Sequence, residues 1–427
     1  DRPVTHDKKR GIHKFMWAQN NKHILFVQDK DGDENWHIYR TDLETLKTVD
    51  MTPFKGVNAR KLIVDKHFPN EVLVEMNKEN PKLFDVYHLN ITSGALELEA
   101  KNPGDVDVWL ADSKLCVRAA VAVKPDGSSI LLVRKDKDSP WEQKLTWGFE
   151  DSMVGSLPPE GSRPINFSRN GTFLYLIDST NTNTKRLVKM NLTTGARETL
   201  AVDEQYDIDS VIFNRNTYEP DLVSFMRTRV HWKALHPGLE KDLKTILSLS
   251  KGDLAYIDRS SDEKKWVLGF ENDDGPFAYY LYDRQTKKAE FLFYDRPALT
   301  KYKLASMKPI SFTSRDGLTI HGYLTCPPNK PAKNLPMVLD VHGGPWLRHV
   351  WGSGNTPHNV IAQLLANRGY ACLHVNFRGS AGYGKKFMDA GDREWGGKMH
   401  DDLIDAVNWA IKEGIADPRK IAISGQS

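Results

Sequence analysis

The stretch Lys420-Ile421-Ala422-Ile423-Ser424-Gly425-Gln426-Ser427 runs from an apolar segment straight into Gly-x-Ser. It reads as a strand entering a nucleophile elbow, a sharp strand-to-helix turn that leaves the serine hydroxyl exposed, with Gly425 giving the backbone the room such a turn needs. Gly-x-Ser alone also fits an ordinary turn, so its meaning rests on what precedes it.

Working back from it, strands alternate with helices. Met337-Val338-Leu339-Asp340-Val341 and Ala371-Cys372-Leu373-His374-Val375 are short apolar runs of the kind found in buried parallel strands. Thr356-Pro357 caps and starts a helix whose apolar face is expected at Val360, Ile361, Leu364 and Leu365, with Gly369 ending it. Met399, Leu403, Val407, Ala410 and Ile411 recur at helical spacing. The order is βαβαβ, which implies a mostly parallel sheet covered by helices. Between the first strand and its helix stands His342-Gly343-Gly344-Pro345. Upstream, Arg315-Asp316-Gly317 between two apolar runs is a hairpin signal.

Before about residue 300 the pattern changes to short strands of alternating polarity with almost no helical periodicity. A strand carrying Tyr or a similar residue, then Asp or Asn, then a Thr/Gly turn, recurs at His37–Leu43, Val86–Gly94, Leu187–Gly195 and Tyr280–Thr286. Its turn residues, 42, 90, 191 and 283, lie 48, 101 and 92 apart, about one, two and two periods of roughly 46–50 residues, the size of a propeller blade. Degenerate copies fall at Leu131–Asp136 and Leu222–Met226. Six blades are visible, and about seven are expected if chain preceding Asp1 completes the set; a β-sandwich is the alternative. The fold expected is an N-terminal β-propeller, residues 1–303 and N-terminally incomplete, followed by the first part of an α/β-hydrolase domain, residues 304–427.

The composition narrows the partners. Lys+Arg 59 against Asp+Glu 56 gives a net charge of +3, and no Lys/Arg run exceeds Lys8-Lys9-Arg10, so no nucleic-acid footprint is expected. No apolar segment approaches the length of about 20 residues that spans a bilayer. Both ends read as cut, so the compartment stays open: cytoplasmic, or periplasmic or secreted if a leader has been removed. Cys116, Cys326 and Cys372 are too few and too scattered for a disulfide framework. Asp29–Glu34 starts like a calcium loop but lacks glycine at its sixth position and glutamate at its twelfth, so it reads as a charged hairpin turn. No motif calls for a metal or a cofactor.

Taken together, the propeller-like repeats, Asp340–Pro345, Asn376–Gly384 and Ile421–Ser427 resemble the prolyl oligopeptidase family of serine peptidases. His-Gly-Gly-Pro is similar to the acylaminoacyl-peptidase and bacterial dipeptidyl-aminopeptidase-like branch. The resemblance covers nearly the whole chain. It implies that Ser427 is the nucleophile, that the Gly344 N–H is one oxyanion donor, and that His342, Gly343 and Gly425 support the loop and the turn. It implies an oligopeptide substrate, cleaved through an acyl-enzyme to release a dipeptide or an acylated residue. The second oxyanion donor, the triad acid and the triad histidine would follow Ser427. Asp402, His400 and His374 precede it and are assigned none of those roles; Asp401-Asp402 is expected on the solvated or capped side of a helix. The loop Arg378–Gly384 is expected to shape the site. An esterase of the same fold, or a propeller interaction protein with an inactive hydrolase half, are the other readings, and oligomeric state, including a homo-oligomer, is left open.

Overall fold

The computed structural model describes residues 2–152, 161–352 and 356–427; Asp1, where the first expected domain begins, lies outside them. Six antiparallel sheets follow one another along the chain. They begin at Lys14–Trp17, Ala59–Ile63, Val106–Ala111, Arg163–Phe167, Ile208–Phe213 and Asp253–Arg259. Each is built from strands adjacent in sequence, as blades are. A sandwich would exchange strands between two sheets, and none of these six does. The six visible repeats thus correspond to the six blades among the described residues.

The repeated sequence turn has one physical cause. It joins the third strand of a blade to its fourth, and its Asp or Asn side chain accepts hydrogen bonds from the backbone two and three residues on. Asn90 Oδ1 accepts from Thr92 N at 3.0 Å and Ser93 N at 2.9 Å. Asn191 does so from Thr193 and Thr194, Asp283 from Gln285 and Thr286, and Asp42 from Glu44 and Thr45. The degenerate copy at Leu222–Met226 departs for a visible reason. In the fifth sheet only three strands form, and the helix Pro237–Leu247 follows them. It buries Leu239, Leu243 and Ile246 against Trp232, Leu254 and Trp266. Its buried Asp242 takes the Tyr282 hydroxyl at 2.6 Å and the Arg284 Nε at 3.2 Å. In the sixth sheet the outer strand Lys288–Tyr294 pairs on one side only and exposes Phe291 and Phe293. The calcium-like run is a turn, with the Asp29 carboxylate held by Arg10 Nε at 2.7 Å and Nη2 at 2.8 Å.

Beyond the blades lies one five-stranded sheet in the order Met307–Thr313, Thr319–Thr325, Ala371–Asn376, Leu335–Val341, Ala416–Gly425. The first two strands form the expected hairpin, with Gly317 at φ +90° in its turn. The last three are parallel, as the βαβαβ order requires. Leu339, Leu373, Val375, Met337 and Ala406 fill the core beneath them. By compactness the residues divide into two units. One is made of the first three blades and most of the fourth; the other runs from Thr199 to Ser427 and includes Asp178–Leu187.

Two expectations about side-chain environment are corrected. In the helix Pro357–Asn367, Thr356 caps Asn359 N as expected, but the buried face is Asn359, Ala362 and Ala366, while Val360, Ile361 and Leu364 are 40%, 37% and 51% exposed. The small face lets the helix lie close to the sheet, and the bulky aliphatics turn outward. In the helix Lys398–Lys412, Asp401 is partly exposed and pairs with Arg315. Asp402, however, is fully buried. It faces Arg378, whose Nε and Nη2 reach its two oxygens at 2.9 and 2.7 Å. The same guanidinium binds Asp316 through Nη1 and Nη2, both at 2.8 Å. One arginine thus neutralises two carboxylates and ties the hairpin turn, the loop after Ala371–Asn376 and the Lys398–Lys412 helix together.

Removing that arginine leaves Asp402 charged and buried. Arg378→Met is expected to lower unfolding stability by about 3–5 kcal/mol, and Arg378→Lys to recover only part, because lysine lacks the planar fork; urea denaturation measures both. Arg378 holds the Asp316 carboxyl below its ordinary range. A carboxyl depressed in the folded state contributes stability above its unfolded value of about 3.9, lost as pH falls. Asp316→Asn is therefore expected to unfold at a lower temperature than the parent at neutral pH, with the difference closing below about pH 4.

Candidate active site

The strands Leu335–Val341 and Ala416–Gly425 pair in parallel with Asp340 opposite Ser424 and Val341 opposite Gly425. Parallel neighbours leave a sheet at the same edge, so the segment after Val341 and the segment after Gly425 emerge side by side. The crowding there explains the glycines. A Cβ on Gly343 would stand 2.6 Å from the Gln426 carbonyl oxygen, 2.8 Å from Ser427 Cβ and 3.4 Å from Ser427 Oγ. On Gly344, at φ +120°, it would meet the backbone nitrogens of Trp346 and Leu347 at 2.6 and 2.9 Å. Gly425 lies close against the Val341 carbonyl. Ser427 has φ +75°, a left-handed conformation uncommon for serine.

His342 is buried beside this turn and stacks on Phe377, with ring centroids 4.6 Å apart. Its Nδ1 is 2.7 Å from the Gly343 carbonyl, which can only accept, so the proton sits on Nδ1. Nε2 lies 2.9 Å from Ser380 Oγ, whose hydroxyl donates to the Phe377 carbonyl at 2.6 Å. Burial pushes the His342 pKa down to about 4. Both ring nitrogens of His342 are thus engaged, and burial favours the neutral ring.

The next loop braces the first. Asn376 accepts from His349 N at 2.7 Å and donates to the His349 carbonyl and to the Tyr383 hydroxyl. Arg348 donates to that same hydroxyl at 2.8 Å, lies 4.2 Å above the Tyr383 ring, and donates to the carbonyls of Met226 and Arg227. Ala381 N bonds the Leu347 carbonyl at 3.0 Å. These contacts tie the loop after Val341 to the loop after Asn376. His400 is exposed on its helix, and Asp402 is committed to Arg378.

One grouping was not anticipated from sequence. Asp340, His349 and His374 are all buried, and one donor atom from each lies within 4.8 Å of the others. Asp340 Oδ2 is 2.6 Å from His358 Nδ1 and 3.4 Å from His374 Nε2. Ser424 donates to Asp340 Oδ1 at 2.6 Å. His349 stacks on His374 at 4.2 Å. Its signal in the sequence was the match between Leu339-Asp340-Val341 and Leu373-His374-Val375, two apolar runs each broken by one polar residue at the same register.

Comparison with known proteins follows the geometry. Residues 358–427 match the prolyl oligopeptidase family, peptidase S9. Over 100% of its length the chain is 36% identical to dipeptidyl aminopeptidase BIII of Pseudoxanthomonas mexicana, covering 61% of that protein. It is 30% identical over 100% of its length to dipeptidyl peptidase family member 6 of Caenorhabditis elegans, again covering 61%. The chain therefore spans less than two thirds of the length of these relatives. In fold, 99% of it superposes on 61% of a prolyl endopeptidase chain with a TM-score of 0.71 at 12% identity. The architecture is a β-propeller followed by part of an α/β-hydrolase domain.

Ser380→Ala removes the hydroxyl that stands between His342 Nε2 and the Phe377 carbonyl and leaves both buried groups without that partner. It is expected to cost about 1–3 kcal/mol of unfolding stability by urea titration, with the far-ultraviolet circular dichroism unchanged.

Proposed function

We propose, from the premise that the chain belongs to the prolyl oligopeptidase family, that it carries the propeller and the nucleophile of a serine peptidase that hydrolyses short peptides and releases a dipeptide or an acylated residue from the amino end. The single observation that carries this reading is the placement of Ser427, at φ +75°, directly against Gly343. In this reading residues 1–303 form the propeller domain and 304–427 the first part of the catalytic domain.

The chemistry follows from what each group offers. Ser427 Oγ adds to the scissile carbonyl, whose oxygen becomes negative as the tetrahedral intermediate forms. The Gly344 N–H donates to that oxygen, and a glycine there leaves the backbone bare for its approach. A serine hydroxyl is a poor nucleophile without a base. His342 cannot serve, because both its nitrogens are engaged, and His374 is committed to Asp340. In this reading the general base and its acid are groups other than His342 and His374. Departure of the amine leaves the acyl group on Ser427, and water hydrolyses the ester. The names of the two full-length relatives favour dipeptide release over release of an acylated residue.

Treating the natural protein with a fluorophosphonate probe and mapping the label by peptide mass spectrometry tests the assignment. Label is expected on Ser427, and Ser427→Ala is expected to lose label and at least about 10³-fold in kcat/KM on a dipeptidyl anilide. Full activity in that variant would remove Ser427 from the reaction. Preference for p-nitrophenyl esters over all anilides would make the protein an esterase. Gly343→Ala forces the loop away from Ser427 and is expected to reduce kcat by about 10²-fold while the protein stays folded, read by steady-state kinetics with the thermal unfolding curve as control.

A further inference from the structure

We infer that the fifth blade positions the loop carrying Gly343 and Gly344, and that Arg348 is the positioning residue through which it does so. The effect on rate rests on the peptidase reading; the effect on the loop rests on the contacts alone. All the residues concerned lie in the unit that runs from Thr199 to Ser427.

Three observations carry it. The first is an unbroken run of contacts at the bend between the blade strands Pro220–Met226 and Val230–Ala234. The carbonyls of Met226 and Arg227 accept from Arg348 Nη1 and Nη2 at 2.9 and 3.0 Å. The Thr228 carbonyl accepts from the Tyr323 hydroxyl at 3.0 Å. The Arg229 guanidinium lies 3.6 Å from the centre of the Trp351 ring. Four successive blade residues thus meet the hydrolase part, and two of their three partners, Arg348 and Trp351, belong to the segment that follows Gly344.

The second is how the charge of Arg348 is met. Among the described residues no carboxylate pairs with it. Its guanidinium is held by those main-chain carbonyls and by Tyr383, whose hydroxyl takes Nη2 at 2.8 Å and whose ring lies 4.2 Å away. A carboxylate side chain can follow a moving arginine, but a backbone carbonyl cannot. A shift of the bend by about 1 Å would stretch these bonds past the limit of about 3.5 Å and leave a partly buried cation short of acceptors. Blade and arginine therefore move together. Gly382 makes room for the arrangement, since a Cβ there would stand 2.8 Å from Arg348 Nη1.

The third is that the main chain on both sides of Arg348 is pinned. The Leu347 carbonyl accepts from Ala381 N at 3.0 Å, and Asn376 holds His349 at both N and O. Towards Gly344 the chain folds tightly on itself, because a Cβ on that glycine would lie 2.6 and 2.9 Å from the nitrogens of Trp346 and Leu347. A displacement of Arg348 is therefore passed along backbone to Gly344, and Gly343 stands directly against Ser427. Misplacing a donor by about 1 Å can cost about 10²-fold in rate. Because the donor acts on the developing oxyanion, the loss falls on kcat more than on KM.

The test uses the full-length natural protein with Arg348→Met, Arg348→Lys or Tyr323→Phe. The His349 and Ala381 amides are hydrogen-bonded in the parent, so hydrogen exchange in peptides spanning 346–350 and 380–383 reads the loop without any activity. Arg348→Met is expected to speed that exchange at least tenfold, with the strand Ala371–Asn376 unchanged. On a dipeptidyl anilide it is expected to lower kcat about 10–100-fold with KM within about twofold, and to slow fluorophosphonate labelling of Ser427 in parallel. Arg348→Lys is expected to recover part of each effect, since it keeps the charge without the planar fork. Should Arg348→Met fail to fold, Tyr323→Phe releases the Thr228 carbonyl from outside the loop and is expected to speed the same exchange about fivefold. Unchanged exchange in the folded variants overturns the inference. Faster exchange with unchanged kcat overturns it equally, by making the contacts structural only. Failure of the peptidase reading shows separately, as no label on Ser427 in the parent, and the exchange readout then decides the link between blade and loop.

Discussion

The parallel pairing of Leu335–Val341 with Ala416–Gly425 is the constraint from which the site is built. Because Asp340 faces Ser424 and Val341 faces Gly425, the loop after one strand and the turn after the other leave the sheet together. No long-range fit is needed to bring Gly343 to Ser427; hydrogen bonding between neighbouring strands suffices. The side-chain period of two adds a second consequence. A slip of one residue would turn Asp340 to the opposite face and break the His374–Asp340–Ser424 row. The register therefore fixes the serine turn and the buried polar row in one step.

Around that pairing, polar groups are buried in closed sets. Arg378 satisfies Asp402 and Asp316, and Asn376 joins His349 to Tyr383. His342 spends both nitrogens on Gly343 and Ser380. Each set ties a loop to the elements or loops beside it. In a medium of low polarity these bonds are costly to leave unmade, so the loops are confined to a single arrangement while their glycines keep the backbone free of side chains.

Much of this was legible in the chain itself. The blade period was readable because one Asx turn recurs, and the side chain that makes the turn is also the one that marks it, as at Asn90 and Asn191. The βαβαβ order and the two Gly-bearing segments were readable because apolar runs and glycines are local signals. What escaped depends on packing in three dimensions. Val360, Ile361 and Leu364 form an apolar stripe, yet the helix presents Ala362 and Ala366 to the sheet, and helical periodicity cannot choose between two such faces. Asp402 looked like a surface acid because its partner, Arg378, is 24 residues away in sequence. The grouping of Asp340, His349 and His374 required the strand register and the path of a loop, neither of which composition encodes.

The replacement of a fourth strand by the helix Pro237–Leu247 changes how the fifth blade meets its surroundings. A helix offers no unpaired row of N–H and C=O groups, and covering an outer strand with one prevents another chain from adding to it. Among the described residues no further strand pairs with Lys288–Tyr294 in the sixth blade, whose segment Lys-Ala-Glu-Phe-Leu-Phe-Tyr has no proline and a formal charge of zero. Those are the properties that favour cross-chain β-pairing and aggregation. Two successive blades thus end differently: one is followed by a helix, and the other ends in an outer strand of zero formal charge.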